Sequence, residues 1–166
     1  LHPNTFTIPE GYYPKVGEGA KITSLVDPNS KMSKSDPNEN GFISILDTPE
    51  AIMRKCKRAV TDSDSEIAAR GDKPGVTNLL NIYAAVTGTT VAGAEHEFSG
   101  KGYGAFKQAV GEAVVETLRP VRERYDKLIK DKAYIESVYK HGAERAYAIS
   151  NRTLQKVYRK VGFVNR

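Results

Sequence analysis

The chain has 166 residues, with 25 Lys and Arg against 20 Asp and Glu, which is long enough for one substantial core or two small domains. It contains no apolar run near the roughly 20 residues of a membrane span and no basic, apolar leader. One cysteine and three scattered histidines provide neither a disulfide nor metal-ligand spacing. We therefore expect a cytoplasmic protein with no membrane partner and no structural metal.

Charge is divided unevenly along the chain. Residues 1–100 carry 10 Lys and Arg against 13 Asp and Glu, whereas residues 101–166 carry 15 against 7. Such asymmetry indicates that the C-terminal part faces a polyanion, because summed charge governs attraction to nucleic acid. A lysine-rich helical surface that is merely solvated explains the same counts equally well.

The first predicted elements are short strands followed by a helix. Residues 1–30 are rich in Pro and Gly, and the runs TFTIP and KITSLVD have β-type composition. The string DTPEAIMRKCKRAV then predicts a helix with Asp47 or Thr48 as N-cap and Pro49 near its first position. Its basic residues lie near the end, which is the favourable polarity.

Helices account for the rest of the chain. A polar connector, TDSDSEIAARGDKPG, leads into VTNLLNIYAAVTG, where apolar residues recur at helical spacing until Gly88. A short helix over residues 91–98 and a glycine-rich joint, SGKGYG, precede a long helix that Pro120 should kink. The apolar stripe of that helix comprises Phe106, Val110, Ala113, Val114, Leu118, Val121, Tyr125 and Leu128.

The last helix carries a row of positive charge. With residues 143–161 as one helix, four basic side chains fall within about 60° of one another at 100° per residue. We call Arg145, Arg152, Lys156 and Arg159 the basic ridge. The opposite stripe, Ala143, Leu154, Val157 and Val161, is expected to face the core. Phosphate binding and simple solvation are both explanations of the ridge.

The string KMSKS, residues 31–35, is the feature most typical of a chemical site. Lys31 and Lys34 can converge on one multiply charged anion, while Ser33 and Ser35 add hydroxyl donors. Such a clamp is most useful where charge grows in the transition state, as when pyrophosphate leaves ATP. Met32 would pack inward and anchor the loop. By composition alone, a lysine-serine surface loop is the more common reading.

The wider context of KMSKS is a series of strings in a fixed order. KMSKSDPN, KRAVTDSD, KPGVTNLLNIY, GKGYGAFK, ETLRPVRERY and SNRTLQKVYRKVGF together resemble the C-terminal part of bacterial tryptophanyl-tRNA synthetases, which are class I aminoacyl-tRNA synthetases. The resemblance covers essentially the whole chain. It implies a mainly α fold, with residues 1–45 as a strand and loop remnant of a Rossmann-like catalytic domain that carries KMSKS. Residues 46–166 would be a helical bundle, the anticodon-binding domain.

The resemblance also implies a reaction and its residues. Tryptophan is activated by ATP, as its Mg²⁺ complex, and transferred to tRNA(Trp) by a homodimer without a prosthetic group or a DNA partner. The implied catalytic residues are Lys31 and Lys34, which hold the triphosphate and then the leaving pyrophosphate. The implied ATP-binding residues are Ile22, Lys31, Met32, Ser33, Lys34 and Ser35. Ile22 matches an adenine-contacting position, although Lys21 and Thr23 stand where arginine and methionine are common. The basic ridge would contact tRNA.

One departure from the family pattern limits this expectation. The second signature of class I enzymes, a His-containing loop, and the tryptophan pocket are not among these residues. We therefore expect a C-terminal fragment that makes no adenylate by itself. The alternatives are a fragment of a tyrosyl-tRNA synthetase, a non-catalytic helical RNA-binding module, and a helical interaction scaffold whose charge is incidental.

Overall fold

The computed structural model describes residues 5–13 and 21–164. These ranges contain five α-helices, a short 3-10 turn at Glu39–Gly41 and no strand. The helices are α1 (Pro49–Arg58), α2 (Pro74–Thr87), α3 (Val91–Phe98), α4 (Tyr103–Leu128) and α5 (Lys132–Val161). The mainly helical class predicted from the sequence is confirmed.

The two runs of β-type composition do not form strands. The described part of the chain has a single isolated bridge in this region, between Thr23 and Lys31. Two residues after Thr23, the Leu25 backbone is hydrogen-bonded to loop residues and not to a strand. Its N–H donates to the Gly41 carbonyl, and its carbonyl accepts from the Val60 N–H. The prediction of strands at TFTIP and KITSLVD is therefore wrong, since within residues 5–13 and 21–164 neither run pairs with a continuous neighbouring strand.

The chain divides into two compact units. The central unit comprises Tyr13–Glu123, and the terminal unit comprises Leu1–Tyr12 together with Arg124–Arg166. These units are not the two domains expected from the sequence. The expected boundary, between residues 45 and 46, separates a catalytic from an anticodon-binding domain, and it stays a prediction.

Helix α1 begins where the sequence predicted. Thr48 is the N-cap, and its hydroxyl accepts from the Ala51 N–H at 3.2 Å. The other candidate, Asp47, accepts from the Ser44 N–H at 2.9 Å and pairs with the Lys55 ammonium at 2.6 Å. Asp47 thus ties the entry of α1 to its last turn.

The core of the central unit is built by α1, α2, α3 and the first half of α4. Its fully buried apolar side chains include Leu25, Ile52, Cys56, Val76, Leu79, Leu80, Ala94, Phe98, Phe106 and Val110. The Phe98 ring lies 5.0 Å from Tyr83 and 4.9 Å from Phe106, so that an aromatic cluster joins α2, α3 and α4.

The predicted stripe of α4 is buried only in its first half. Phe106, Val110 and Val114 are in the core, whereas Val121 and Tyr125 are 43% and 42% exposed. The helix continues through Pro120 to Leu128. Because the core ends before Pro120, the later apolar positions of the stripe remain at the surface of the described chain.

Helix α5 belongs to the terminal unit and buries no residue. Its N-cap is Asp131, which accepts from the Tyr134 N–H, and it ends at Gly162 with φ 77°. Leu154 and Val161 are 44% and 56% exposed, so the expectation that their stripe faces a core is wrong. The described remainder of the terminal unit is the end of α4 and one short segment, too little chain to cover a helix of 30 residues.

Candidate functional site

The KMSKS segment begins at a backbone bridge. Thr23 and Lys31 form the antiparallel bridge, and beside it the Ser24 N–H donates to the Ser30 carbonyl at 2.9 Å. The residues between them make a short loop whose two ends are hydrogen-bonded to each other. The position at which the KMSKS segment starts is therefore defined by the backbone.

Asp27 closes the turn that precedes the segment. Its side-chain carboxylate accepts from the Ser30 hydroxyl at 2.5 Å and from the Asn29 N–H at 3.2 Å. The Ser30 hydrogen bond and then the Asn29 hydrogen bond stabilise the carboxylate, which lowers the pKa of Asp27. The turn is thus stabilised by an ionised side chain at neutral pH.

A buried asparagine of α2 holds the start of the bridge. The Asn78 Oδ1 accepts from the Thr23 N–H at 2.8 Å, and its Nδ2 donates to the Thr23 carbonyl at 2.8 Å. A side-chain amide offers the same donor and acceptor pair as a peptide group, so Asn78 takes the place of a neighbouring strand. Sequence reasoning missed this residue, and its only signal is a polar side chain within an apolar helix.

Leu25 ties the loop to the core at two further points. Its N–H donates to the Gly41 carbonyl at 2.9 Å, and its carbonyl accepts from the Val60 N–H at 2.7 Å. The Val60 carbonyl in turn lies against α2, because a Cβ added at Gly75 would stand 2.1 Å from that oxygen. The base of the loop, the exit of α1 and the start of α2 therefore pack with no spare room.

The two lysines of the segment differ in exposure from Met32 and from Ile22, which precedes the segment. Lys31 and Lys34 are exposed, and neither forms an ion pair within the described ranges. Met32 and Ile22 are partly buried and pack against the core. The segment thus presents two unneutralised ammonium groups from a backbone that is anchored on its inner side.

A tight turn follows the first lysine. The Ser33 hydroxyl accepts from the Ser35 N–H at 3.3 Å, and the Ser33 carbonyl accepts from the Asp36 N–H at 3.1 Å. Asp36 then accepts from the Asn38 N–H at 2.8 Å. Because the Ser33 oxygen acts here as an acceptor, its own proton can be donated to an anion outside the loop.

The basic ridge is fully accessible on α5. All four of its side chains are exposed, and none of them forms an ion pair among the residues that the structure describes. The Arg159 Nε donates to the Gln155 carbonyl at 3.4 Å. The ridge belongs to the terminal unit, whereas the KMSKS segment belongs to the central unit.

A buried lysine in the connector was not expected from the sequence. The Lys73 side chain is 3% exposed, and its Nζ lies 2.7 Å from Asp64, 3.3 Å from Asp62 and 3.2 Å from the Tyr103 hydroxyl. Burial disfavours the cation, but these hydrogen bonds outweigh it, so the pKa of Lys73 is raised. The acidic string TDSD before DKPG is the signal that could have indicated this cluster.

The described ranges contain neither a candidate metal site nor a candidate membrane-spanning helix. Residues 5–13 and 21–164 contain no group of three or more His, Cys, Asp or Glu side chains placed to hold a metal ion. In the same ranges, none of the helices combines the length and the apolar character required to cross a membrane.

Comparison with known proteins identifies relatives over nearly the whole chain. The family model described as tRNA synthetases class I (W and Y) matches residues 1–119. A tryptophan–tRNA ligase of Clostridium perfringens is 49% identical over 165 residues, which are 99% of this chain and 49% of that protein. A tryptophan–tRNA ligase of Wolinella succinogenes is 46% identical over 160 residues, 96% of this chain and 48% of that protein.

Solved structures give the same result for the fold. The tryptophanyl-tRNA synthetase of Mycoplasma pneumoniae matches with a TM-score of 0.75 and 31% identity, covering 88% of this chain and 46% of that one. The enzyme of Campylobacter jejuni matches with a TM-score of 0.62 at 23% identity, over 96% of this chain and 48% of that one, which shows a likeness of fold alone. The predicted resemblance is confirmed, and the chain spans about half the length of the curated relatives it matches.

Proposed function

The chain belongs to the class I tRNA synthetase family for tryptophan and tyrosine, and we propose that it supplies the phosphate-binding loop and the tRNA-binding helices of a tryptophan–tRNA ligase. In the whole protein, ATP activates tryptophan to the adenylate, and the aminoacyl group is then transferred to tRNA(Trp). ATP enters as its magnesium complex, which is a substrate. The proposed assembly is a homodimer in the cytoplasm.

The observation that carries this proposal is the pair of unneutralised lysines on an anchored loop. Lys31 itself forms the bridge to Thr23, and Lys34 lies three residues further along the chain. Cations held in place before the reaction stabilise charge that develops in the transition state at little cost of reorganisation. The pair is therefore proposed to hold the triphosphate and then the departing pyrophosphate.

The remaining residues of the loop have supporting roles in this proposal. The Ser33 and Ser35 hydroxyls are proposed to donate to phosphate oxygens. Ile22 is proposed to lie beside the adenine, and Met32, which packs against the core, holds the loop from its inner side. The Met32 N–H donates to the Ile22 carbonyl at 3.2 Å. This hydrogen bond would fix the distance between the residue proposed to contact the adenine and the segment proposed to contact the phosphates of the same ATP.

A chimaera tests the role of the lysines. The half of the Clostridium perfringens ligase that matches this chain is replaced by it, and tryptophan-dependent exchange of pyrophosphate into ATP is measured. Lys34→Met is expected to lower the exchange rate about 100-fold, because one transition-state contact is lost. Lys140→Met is the matched control, since Lys140 is exposed and already pairs with Glu136.

Two results would contradict this part of the proposal. An active chimaera in which Lys34→Met and Lys140→Met have equal rates would remove the KMSKS lysines from the mechanism. Exchange catalysed by the 166-residue chain alone would contradict the expectation that it makes no adenylate by itself.

The basic ridge supports RNA binding as the second half of the proposal. Its four exposed, unpaired cations lie on a helix without a buried residue. Binding of the chain to a tRNA with the tryptophan anticodon is compared with binding to the same tRNA carrying the tyrosine anticodon, at two salt concentrations. Preference for the first favours the tryptophan enzyme and preference for the second favours the tyrosine enzyme. Equal affinity for the two tRNAs, weakened by salt, would mean that the ridge binds phosphates without distinguishing the anticodon, as a non-catalytic RNA-binding module would.

A further inference from the structure

A cavity of about 470 Å³ lies between α1 and α4, and none of its lining residues belongs to the KMSKS segment or the basic ridge. Helix α1 contributes Met53, Arg54 and Lys57 to its wall, and α4 contributes Tyr103, Gly104 and Lys107. The volume falls within the range of about 300–1,000 Å³ that is typical of small-ligand pockets. All of these residues belong to the central unit.

The charge of the lining is of one sign. Its three cations, Arg54, Lys57 and Lys107, face no carboxylate in the lining, and none of them forms an ion pair within the described ranges. Lys107 is partly buried, and this burial lowers the pKa of its ammonium group.

The two fully buried lysines of the central unit, Lys55 and Lys73, are neutralised. Lys55 pairs with Asp47 at 2.6 Å, and Lys73 pairs with Asp64 at 2.7 Å. Lys107 is only partly buried and has no such partner within the described ranges, so its charge is partly desolvated without compensation. An anion in the cavity would supply the charge that the protein itself does not supply.

A fixed aromatic wall completes the cavity. The Tyr103 hydroxyl donates to Asp62 at 2.7 Å and accepts from the Lys73 ammonium at 3.2 Å. These two hydrogen bonds hold the Tyr103 hydroxyl against Lys73, Asp62 and Asp64, which we call the Lys73 cluster, and they fix the orientation of the Tyr103 ring. The Tyr103 ring and the Met53 side chain therefore form a preorganised apolar surface beside the three cations.

We propose that this cavity binds a nucleotide unit, with its phosphate between Arg54, Lys57 and Lys107 and its base against Tyr103 and Met53. The anionic part matches the cations, and a flat base stacks on an immobilised ring. The shared chemistry is a phosphate ester joined to a base, whether in a free mononucleotide or in an unpaired position of an RNA strand. The site is additional to the proposed triphosphate contacts of Lys31 and Lys34.

The test is a titration of the full chain in which Lys31 and Lys34 are both methionine. The probes are 5′-AMP, a six-nucleotide oligoadenylate and inorganic phosphate. In this background, Lys57→Met and Lys107→Met are each expected to weaken 5′-AMP binding about tenfold, because each removes a charged hydrogen bond. Lys140→Met, which lies outside the cavity, is expected to leave the affinity unchanged.

The outcomes of the titration are distinct. Tighter binding of the oligoadenylate, with the same dependence on Lys57 and Lys107, supports the site and assigns it to an RNA strand, whereas equal binding supports the site and assigns it to a free nucleotide. Affinity for 5′-AMP that is unchanged in both cavity variants would overturn the proposal. Inorganic phosphate bound as tightly as 5′-AMP would overturn the assignment of the base to Tyr103.

A steric variant gives a second, charge-independent test. Gly104 lines the cavity, and a Cβ added there would meet nothing within 4 Å, so we expect Gly104→Leu to fold and to narrow the cavity. Nucleotide binding should fall at least tenfold in Gly104→Leu and persist in Gly142→Leu, a matched change at an open position of α5. A folded Gly104→Leu chain with full affinity would overturn the proposal. The glycine variants are made in the same Lys31→Met, Lys34→Met background, whereas the exchange assay uses a chimaera that keeps both lysines. The two proposals therefore fail or succeed independently of each other.

Discussion

The KMSKS segment and the basic ridge both present unpaired cations, but the protein holds them in opposite ways. The first lies on a loop tied to the core by Asn78 and by the backbone of Leu25. The second lies on α5, which buries no residue. Cations on an anchored backbone suit one triphosphate whose charge changes during a reaction, whereas a row of cations along an exposed helix suits a polymer whose phosphates repeat.

The largest expected effect is a clash at the base of the loop. Gly75→Ala places a Cβ 2.1 Å from the Val60 carbonyl, so either α2 or the exit of α1 must shift. We expect a loss of about 3 kcal/mol in the free energy of unfolding, measured by urea denaturation.

Gly142→Ala is the matched change in the other region. Nothing lies within 4 Å of a Cβ at Gly142, and alanine favours a helix over glycine by roughly 0.5–1 kcal/mol. Stability should therefore be unchanged or slightly increased. Equal losses in the two variants would contradict the contrast between an anchored and an uncovered region.

A smaller loss of stability is expected when the side-chain amide of Asn78 is removed. Asn78→Ala leaves the N–H and the carbonyl of Thr23 without their buried partner, which should cost about 2 kcal/mol of unfolding free energy. The amide of Thr23 should also exchange with solvent faster. Asn151→Ala on α5 is the control, because among the described residues the Asn151 side chain has one long hydrogen bond, which it accepts from Gln155 at 3.4 Å. A protected Thr23 amide in Asn78→Ala would show that the bridge to Lys31 suffices alone.

The Lys73 cluster makes the central unit sensitive to acid. Burial raises the pKa of Asp62, but hydrogen bonds from Tyr103 and Lys73 outweigh it and leave it lowered, and the Lys73 hydrogen bond lowers the pKa of Asp64. Carboxylates with a lowered folded pKa stabilise the fold above their unfolded value of about 3.9, and this stability is lost as pH falls through the folded value.

Unfolding free energies between pH 7 and pH 2.5 test this dependence. The double variant Asp62→Asn, Asp64→Asn should be less stable at pH 7 and should lose less stability on acidification than the unaltered chain. Parallel curves for the two proteins would mean that other carboxylates account for the acid sensitivity.

Local signals in the sequence were sufficient for the helices. Asp47 or Thr48 before Pro49 predicted the start of α1, where Thr48 is the N-cap, and Gly88, with φ 74°, ends α2 as its position indicated. These features depend on residues a few positions apart, where capping and periodicity act directly.

Pairings between distant residues were not predictable in the same way. Thr23 and Asn78 are 55 residues apart, and Lys73 reaches Tyr103 across 30 residues. The exposed stripe of α5 was predicted as core because helical spacing records only which residues share a face. Whether other chain covers that face is a property of the whole fold.

The separate tasks of the two regions are tested most directly by the salt dependence of tRNA binding. Binding of the tRNA with the tryptophan anticodon is measured over a series of salt concentrations for three proteins: the unaltered chain, Lys31→Met with Lys34→Met, and Arg145→Gln with Arg152→Gln. We predict that only the ridge variant lowers the salt slope, by about one for each phosphate contact removed. Equal slopes for the ridge variant and the unaltered chain, or a lowered slope in the loop variant, would contradict the division between a triphosphate loop and an RNA-binding helix.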